Sequence, residues 1–111
     1  MKSAMLEKII KEVILDTARK YNVEVEKIIL FGSRAKGDHR ENSDWDIMVV
    51  TKNKVRNEVE DEFWMEIDKK LVELGIIPEL IVGPKEIFEK HKRPAYVFYY
   101  AEKEGTVLYQ D

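Results

Sequence analysis

The sequence contains no cysteine, which excludes disulfide bonds and metal sites built from thiolates. It also lacks any apolar run near the roughly 20 residues that a membrane-spanning helix needs. Glutamine occurs once, whereas lysine and glutamate are abundant, a bias that is typical of thermophilic proteins. The N-terminal residues form apolar stripes rather than a continuous signal core. We therefore expect no export signal and a cytoplasmic location without membrane attachment.

The composition that is present predicts one soluble, folded domain. The chain has 111 residues, of which 44% are hydrophobic and 37% are charged, and this length allows a single core. Its net charge of −3 argues against non-specific binding to long nucleic acid. We therefore expect residues 1–111 to form a single domain.

One stretch, residues 27–50, carries the pattern around which the rest of the chain is arranged. The apolar runs 28–31 and 47–50 are typical of buried strands, and they flank a polar loop rich in turn-forming residues. A Gly-Ser pair follows the first run, and two aspartates precede the second. A plain β-hairpin with a long polar loop is the alternative, but loop capping accounts for only one of the two carboxylates.

The two aspartates, Asp44 and Asp46, alternate along one strand. Alternate residues of a strand project from the same face, so both carboxylates point to one side and Trp45 points to the other. Unpaired carboxylates on a mostly buried strand are unfavourable, and bound cations remove that penalty. Because paired carboxylate oxygens suit hard divalent ions, the pattern predicts a site for Mg²⁺.

The Gly32-Ser33 turn supplies groups that suit phosphate. Its backbone N–H groups and the Ser33 hydroxyl can hold phosphate oxygens, and the glycine lets a phosphate approach the backbone closely. Arg34 and Lys36 follow, and they either neutralise triphosphate charge or are solvated loop charges. Phosphate-binding groups opposite a two-metal carboxylate site predict phosphoryl or nucleotidyl transfer.

A third carboxylate, Glu79, interrupts the apolar run 76–82, which we interpret as the third strand. The helix predicted before it is long enough for a crossover, so this strand should run parallel to the strand that carries Asp46. Glu79 would then reach the metal site from beside Asp46. The alternative is a glutamate that faces water on an edge strand, which Pro78 favours.

The spacing of these residues resembles that of a known family. Gly32-Ser33, ten intervening residues and then Asp44-x-Asp46 resemble the signature of the DNA polymerase beta-like nucleotidyltransferases. The small size of the chain resembles their minimal nucleotidyltransferase (MNT) branch, and the resemblance covers almost the whole chain. It implies a mixed α/β (α+β) fold of the polymerase beta palm type, with helices and a mixed β-sheet.

The resemblance also implies an enzyme with assigned residues. Asp44, Asp46 and Glu79 would be catalytic and would hold two Mg²⁺ ions, and Gly32, Ser33, Arg34 and Lys36 would bind ATP. The family usually has Asp at the position of Glu79. Because Glu is longer by one methylene, it would bind the metal from a displaced backbone or through a different rotamer. The longer side chain affects the expected role of Glu79 as a base more than its expected role as a metal ligand.

The family's biology implies an acceptor. Minimal nucleotidyltransferases commonly pair with HEPN-domain toxins as antitoxins, and in that setting they are taken to adenylylate a tyrosine of the toxin. The expected function is thus Mg²⁺-dependent transfer of AMP from ATP to a tyrosine hydroxyl of a HEPN-type toxin. One alternative is a non-catalytic antitoxin that neutralises its partner by binding. The other is a nucleotidyltransferase of the antibiotic-modifying type, for which a homo-oligomer would have to complete the acceptor site.

Helical periodicity predicts the first two helices. An apolar stripe predicts an amphipathic helix over residues 3–20. A second stripe predicts a helix from Asn57, with Asn57 and Glu60 as an imperfect capping box and Gly75 as the C-terminal cap. Trp64 lies outside this stripe, and we interpret it, beside an exposed Met, as a contact surface rather than as a stray exposed ring.

The remaining residues predict two short helices and a final strand. Gly83-Pro84 predicts a helix start, with Ile87 and Phe88 in the core. A further helix follows Pro94 and ends at Gly105, and residues 106–109 predict a short strand. Four aromatic residues, Tyr96, Phe98, Tyr99 and Tyr100, cannot all face inward from one helix, so part of this group should be exposed.

Overall fold

Helices and strands fill most of the chain that the structure describes. A computed structural model describes residues 3–32, 34, 44–90 and 97–111. Within these ranges the elements, in chain order, are α1 (Ser3–Tyr21), β1 (Val25–Phe31), β2 (Trp45–Thr51), α2 (Asn57–Glu73), β3 (Pro78–Pro84), α3 (Lys85–Lys90), α4 (Val97–Glu104) and β4 (Thr106–Gln110). The predicted first and second helices, the first three strands and the short final strand are confirmed.

The four strands form one mixed sheet in the order β3-β2-β1-β4. β1 pairs antiparallel with both β2 and β4, whereas β2 and β3 are parallel. A parallel connection needs a crossover, and α2 supplies it. The parallel pairing predicted for the third strand is therefore confirmed, as is the position of β3 at an edge of the sheet.

The two faces of the sheet are covered by different helices. On one face, α1 and α2 pack against Ile28 of β1, Ile47 of β2 and Leu80 of β3, all of which are buried. On the other face, α3 and α4 contribute Phe88 and Ala101 to a smaller core. This smaller core also contains Ile29, Phe31, Met48, Val50 and Ile81. Among the described helices, none combines the length and the apolar character that a membrane span requires.

The turn between α2 and β3 has the hydrogen bonds of a Schellman motif. The Gly75 N–H donates to the Val72 carbonyl, and the Ile76 N–H donates to the Leu71 carbonyl, each at 2.9 Å. Gly75 has φ +82°, a conformation that glycine adopts without steric cost. Ile76 and Leu71 are both buried and anchor the turn. Gly75 thus ends the helix as predicted.

Three local predictions are wrong. The residue that caps α2 is Arg56 and no side chain caps the helix, so the predicted Asn57–Glu60 capping box does not form. Pro84 is paired with Thr51 as the last residue of β3 and precedes the helix, because an edge strand tolerates a residue that has no N–H. Ile87 is 41% exposed, and Phe88 alone of the predicted pair enters the core.

Trp64 of α2 holds the outer edge of β3. Its indole Nε1–H donates a hydrogen bond of 2.8 Å to the Leu80 carbonyl, and the side chain is 37% exposed. The bond satisfies a carbonyl that an edge strand otherwise presents to water or to another chain. The ring is therefore tied to the fold through its N–H, and its role as a contact surface stays a prediction.

We expect Trp64→Phe, which keeps a ring but removes the donor, to lower the free energy of unfolding by about 1 kcal/mol. Urea denaturation followed by circular dichroism measures the change. Met65→Leu is the matched control, because Met65 is the next residue of α2 and is 62% exposed. Equal stability of Trp64→Phe and the wild type would mean that water replaces the indole without loss.

Candidate active site

The parallel register of β2 and β3 places two of the predicted carboxylates side by side. Asp46 is paired with Glu79, and paired residues of neighbouring strands share one face of the sheet. Asp46 is half-buried and Glu79 is exposed. Glu79 thus lies on an edge strand and is open to water, as the alternative interpretation expected, and it also stands beside Asp46. Its part in a metal site stays a prediction.

The longer side chain of Glu79 does not displace its backbone. The β2–β3 ladder runs from Trp45↔Pro78 to Thr51↔Pro84 without a register shift. No bulge therefore displaces the backbone at Glu79. The role of Glu79 as a metal ligand stays a prediction.

Gly32 lies directly over Asp46. It follows the last residue of β1, Phe31, which is paired with Asp46 across the sheet. Its φ is +73°, and a Cβ built on it would overlap Asp46 Oδ2 and lie 2.9 Å from Asp46 Cγ. The backbone conformation therefore favours glycine, and a methyl group at this position would force the Asp46 carboxylate to move. The start of the Gly-Ser turn and the second aspartate thus form one contact.

The Asp46 carboxyl is in surroundings that disfavour its charge. Burial raises its pKa above the usual value, and the carboxylates of Glu79 and Asp44 raise this pKa further. A cation bound there would reverse the effect of the neighbouring charges, because it favours the ionised form of every carboxylate around it. Asp44 itself is exposed at the entrance of β2.

The donor atoms at this end of the sheet suit a hard divalent cation such as Mg²⁺. They are carboxylate oxygens, and Asp46 lies where repulsion makes a counter-charge favourable. Among the residues that the structure describes, however, no group of three or more His, Asp or Glu side chains is arranged so that it can hold a metal ion. The backbone register and the residue types therefore fit the metal, and coordination requires the side chains to rotate towards one point.

Of the predicted nucleotide-binding residues, Arg34 has a described side chain with a specific contact. Its guanidinium carbon lies 4.3 Å from the centroid of the Trp45 ring, a cation–π distance. Trp45 is buried on the face of the sheet that α1 and α2 cover, opposite Asp46. The sequence pattern gave no sign of this contact, which is neither of the two roles weighed for Arg34. Ser33 and Lys36 lie outside the described residues.

The strongest electrostatic perturbation lies away from these carboxylates. Hydrogen bonds from Lys20, Lys70 and Tyr21 lower the pKa of the Glu66 carboxyl to about 2. These residues join α1 to α2 and lie beside an open groove of about 720 Å³ that Trp64 also lines. Because Glu66 is paired with both Lys20 and Lys70, we interpret this network as a structural link between helices rather than as a reactive site.

The aromatic group near the C-terminus is described only in part. Tyr100 is 47% exposed, and Tyr99 meets it edge-on with ring centroids 5.1 Å apart. The Tyr99 hydroxyl accepts a hydrogen bond of 3.2 Å from Lys103. Tyr96 and the Phe98 side chain lie outside the described residues. The expectation that part of this group is exposed is thus confirmed for Tyr100.

Comparison with known proteins gives a family and an activity class. The family described as "Polymerase beta, Nucleotidyltransferase" matches residues 12–111. A relative from Methanocaldococcus jannaschii, provisionally named a protein adenylyltransferase, is 36% identical over 104 residues, which span 93% of this chain and 97% of the relative.

Solved structures with the same fold are more distant in sequence. A toxin–antitoxin crystal structure with AMP-PNP matches at 21% identity and a TM-score of 0.61, over 90% of this chain and 73% of the other. A complex of a tri-AMPylated Shewanella oneidensis HEPN toxin with its MNT antitoxin matches at 18% identity and a TM-score of 0.53, over 95% of this chain and 73% of the other. At these identities the likeness shows a shared fold.

Proposed function

Because the chain belongs to the polymerase beta nucleotidyltransferase family, we propose that it transfers AMP from ATP to a hydroxyl group of a partner protein. The observation that carries the proposal is the alignment of Asp46 with Glu79 on neighbouring strands, with Gly32 directly over Asp46. A carboxylate pair beside a glycine turn provides both a place for cations and a close approach for phosphate.

Two of the comparisons support a protein acceptor. The Methanocaldococcus relative carries the name of a protein adenylyltransferase, and it shares most of its length with this chain. One solved structure of the same fold is an MNT antitoxin bound to an AMPylated HEPN toxin. The proposed partner is therefore a HEPN-type toxin, the proposed acceptor is a tyrosine hydroxyl of that toxin, and this chain acts as the antitoxin.

The proposed site residues bind either the phosphates of ATP or the Mg²⁺ ions. Gly32 and Ser33 bind the β- and γ-phosphates of ATP, and Arg34 and Lys36 neutralise triphosphate charge. Asp44, Asp46 and Glu79 would hold two Mg²⁺ ions, which when bound neutralise phosphate charge and lower the pKa of the acceptor hydroxyl. The Arg34 guanidinium contacts the Trp45 ring on the face opposite Asp46, so it would have to leave that ring to reach the triphosphate.

The proposed reaction exchanges one phosphorus–oxygen bond for another. The acceptor oxygen attacks the α-phosphorus, the bond from that phosphorus to the bridging oxygen breaks, and pyrophosphate leaves. The acceptor proton passes to the Glu79 carboxylate, which is exposed on the outer strand and thus open to an incoming protein. Most of the rate enhancement is expected from neutralised phosphate charge.

The test is incubation with ATP, Mg²⁺ and a purified HEPN-type toxin encoded beside its gene, followed by mass analysis of both proteins. We expect AMP on a toxin tyrosine, and about a 100-fold or greater loss of rate for Asp44→Asn. Asp61→Asn is the matched control, because Asp61 is an exposed acid of α2. Unmodified toxin in the presence of ATP and Mg²⁺ would contradict the proposal.

A second candidate is an antitoxin that neutralises its partner by binding alone. Glu at position 79, and the absence of a ready metal-holding group among the described side chains, favour it. Toxicity of the partner in cells separates the two at native expression levels. Full protection by Asp44→Asn would assign neutralisation to binding, whereas lost protection with an intact complex would assign it to catalysis.

A further inference from the structure

The turn between α2 and β3 presents two large aliphatic side chains to solvent. Leu74 is 52% exposed and Ile77 is 50% exposed, although Ile76 between them is buried at 2%. An exposed apolar residue needs no explanation when it is isolated, but two in one turn form a small apolar surface. We call these two side chains the aliphatic rim.

The aliphatic rim lies at the same end of the sheet as the candidate catalytic carboxylates. The Ile77 carbonyl accepts a hydrogen bond of 2.8 Å from the Trp45 N–H, which extends the β2–β3 ladder by one residue. Asp44 immediately precedes Trp45, and Glu79 lies two residues beyond Ile77. The rim therefore borders the site on its β3 side, whereas Gly32 borders it on its β1 side.

The aliphatic rim is held rigidly. The Schellman hydrogen bonds from Gly75 and Ile76 hold the turn, and the buried Ile76 side chain anchors it in the main core. A rigid apolar contact contributes to binding with little loss of conformational entropy. Their exposure leaves both side chains available to a ligand at this end of the sheet.

The position of the aliphatic rim indicates that it contacts the acceptor rather than the nucleotide. On the proposed function, on which this inference rests, the phosphates of ATP lie over the Gly32 side and the acceptor proton goes to Glu79. An acceptor that reaches Glu79 must therefore cross the outer edge of β3, where the rim stands. We infer that Leu74 and Ile77 bind the residues that flank the acceptor hydroxyl, and so determine which segment of the partner is modified.

The charges around the rim specify the flanking sequence further. Glu73 precedes Leu74 and is exposed, and Glu79 is exposed beyond Ile77. Because Glu79 is assigned to the metal and to the acceptor proton, opposite charge on the partner would complement Glu73 and favour the productive register. The occupant is thus a segment of the partner protein in which aliphatic residues adjoin the acceptor tyrosine and a basic residue follows.

Synthetic peptides test this specificity directly. Three acetylated, amidated pentapeptides are compared with ATP and Mg²⁺: Lys-Leu-Tyr-Leu-Lys, Lys-Ser-Tyr-Ser-Lys and Glu-Leu-Tyr-Leu-Glu. AMP transfer is measured as kcat and KM, and peptide binding is followed by chemical shifts of Leu and Ile methyl groups. We expect the first peptide to be the best substrate and to shift the Leu74 and Ile77 methyl signals.

Variants separate the rim from other parts of the site. Leu74→Ser and Ile77→Ser should each raise the KM for the first peptide about tenfold, with kcat and the KM for ATP unchanged. Val107→Ser is the matched control, because Val107 is 49% exposed on β4 at the opposite edge of the sheet. Val107→Ser should leave all of these constants unchanged.

The outcomes distinguish this inference from the proposed reaction. If the first peptide shifts the methyl signals but receives no AMP, the assignment of the aliphatic rim to the acceptor stands and the proposed reaction is wrong. Transfer to all three peptides at equal KM would contradict the role of the aliphatic rim in binding the acceptor, but not the proposed reaction. A raised KM for ATP in the rim variants would assign the rim to the adenine base, and an altered sedimentation coefficient would assign it to a second copy of this chain. Either result overturns the inference.

Discussion

Replacing Asp46 with Asn is expected to abolish AMP transfer while the melting temperature in EDTA stays unchanged or rises. The amide keeps the size of the carboxylate but cannot balance a divalent cation beside the triphosphate, so we expect a loss of about 1000-fold or more in rate. Stability should not fall, because burial and the charges of Glu79 and Asp44 disfavour an ionised group at this position.

The pH dependence of this effect follows from the raised pKa of Asp46. The folded protein binds the proton more tightly than the unfolded chain does. The contribution of Asp46 to wild-type stability is therefore fully present below its ordinary pKa and is lost as pH rises through the raised pKa. Since Asp46→Asn lacks this titration, its advantage in melting temperature should develop across that window and persist at neutral pH.

Thermal unfolding in EDTA over a pH series measures the difference, with Asp61→Asn as the control for removing an exposed acid. Mg²⁺ should then raise the melting temperature of the wild type more than that of Asp46→Asn. A large drop in stability for Asp46→Asn at neutral pH would instead identify Asp46 as a structural cap or ion-pair partner.

Gly32→Ala is expected to produce a comparable loss of activity for a steric reason. A methyl group at this position would overlap Asp46 Oδ2 and lie 2.9 Å from Asp46 Cγ, so the carboxylate has to move. The alanine would also have to adopt φ near +73°, at a cost of roughly 1–2 kcal/mol. Both effects act at the point where the phosphates are proposed to bind.

Two other glycines separate these effects. Gly75 has φ +82°, and no atom lies within 4 Å of the place that an alanine methyl group would take, so Gly75→Ala carries the backbone strain without the overlap. Gly83→Ala carries neither and is the second control. We expect Gly32→Ala and Gly75→Ala to lose similar stability in urea titrations, but only Gly32→Ala to lose kcat, since any effect of Gly75→Ala on the aliphatic rim would appear in the KM for the acceptor. If Gly32→Ala transfers AMP at the wild-type rate, the Gly-Ser turn does not bind the phosphates.

The sequence predicts those features of the site that depend on alternation and topology. Glu79 beside Asp46 follows from the two-residue period of a strand and from the crossover that a long helix provides. The parallel pairing and the regular register bear this out. Gly75 was predictable for a similar reason, since the end of a helix has few backbone conformations and glycine adopts the left-handed one.

Features that depend on side-chain packing were not predictable. The contact of Arg34 with Trp45 joins a residue just beyond β1 to a buried ring, and the choice between that ring and solvent is made by three-dimensional packing. The Trp64 bond to the Leu80 carbonyl depends on how α2 lies against an edge strand. Pro84 shows the same limit, because a proline suits both a helix start and an edge strand, and its neighbour decides.

The edge position of β3 couples substrate binding to local order in the sheet. β3 has one strand neighbour, β2, so it can separate from the sheet while the β1–β2 ladder stays intact. Such partial openings need less free energy than global unfolding, and each one would carry Glu79 away from Asp46. A cation held by Asp46 and Glu79, as we propose, would oppose these openings. By mass action, the Trp64 bond that keeps β3 closed would then also strengthen cation binding, so the rarity of open states would be part of the measured affinity.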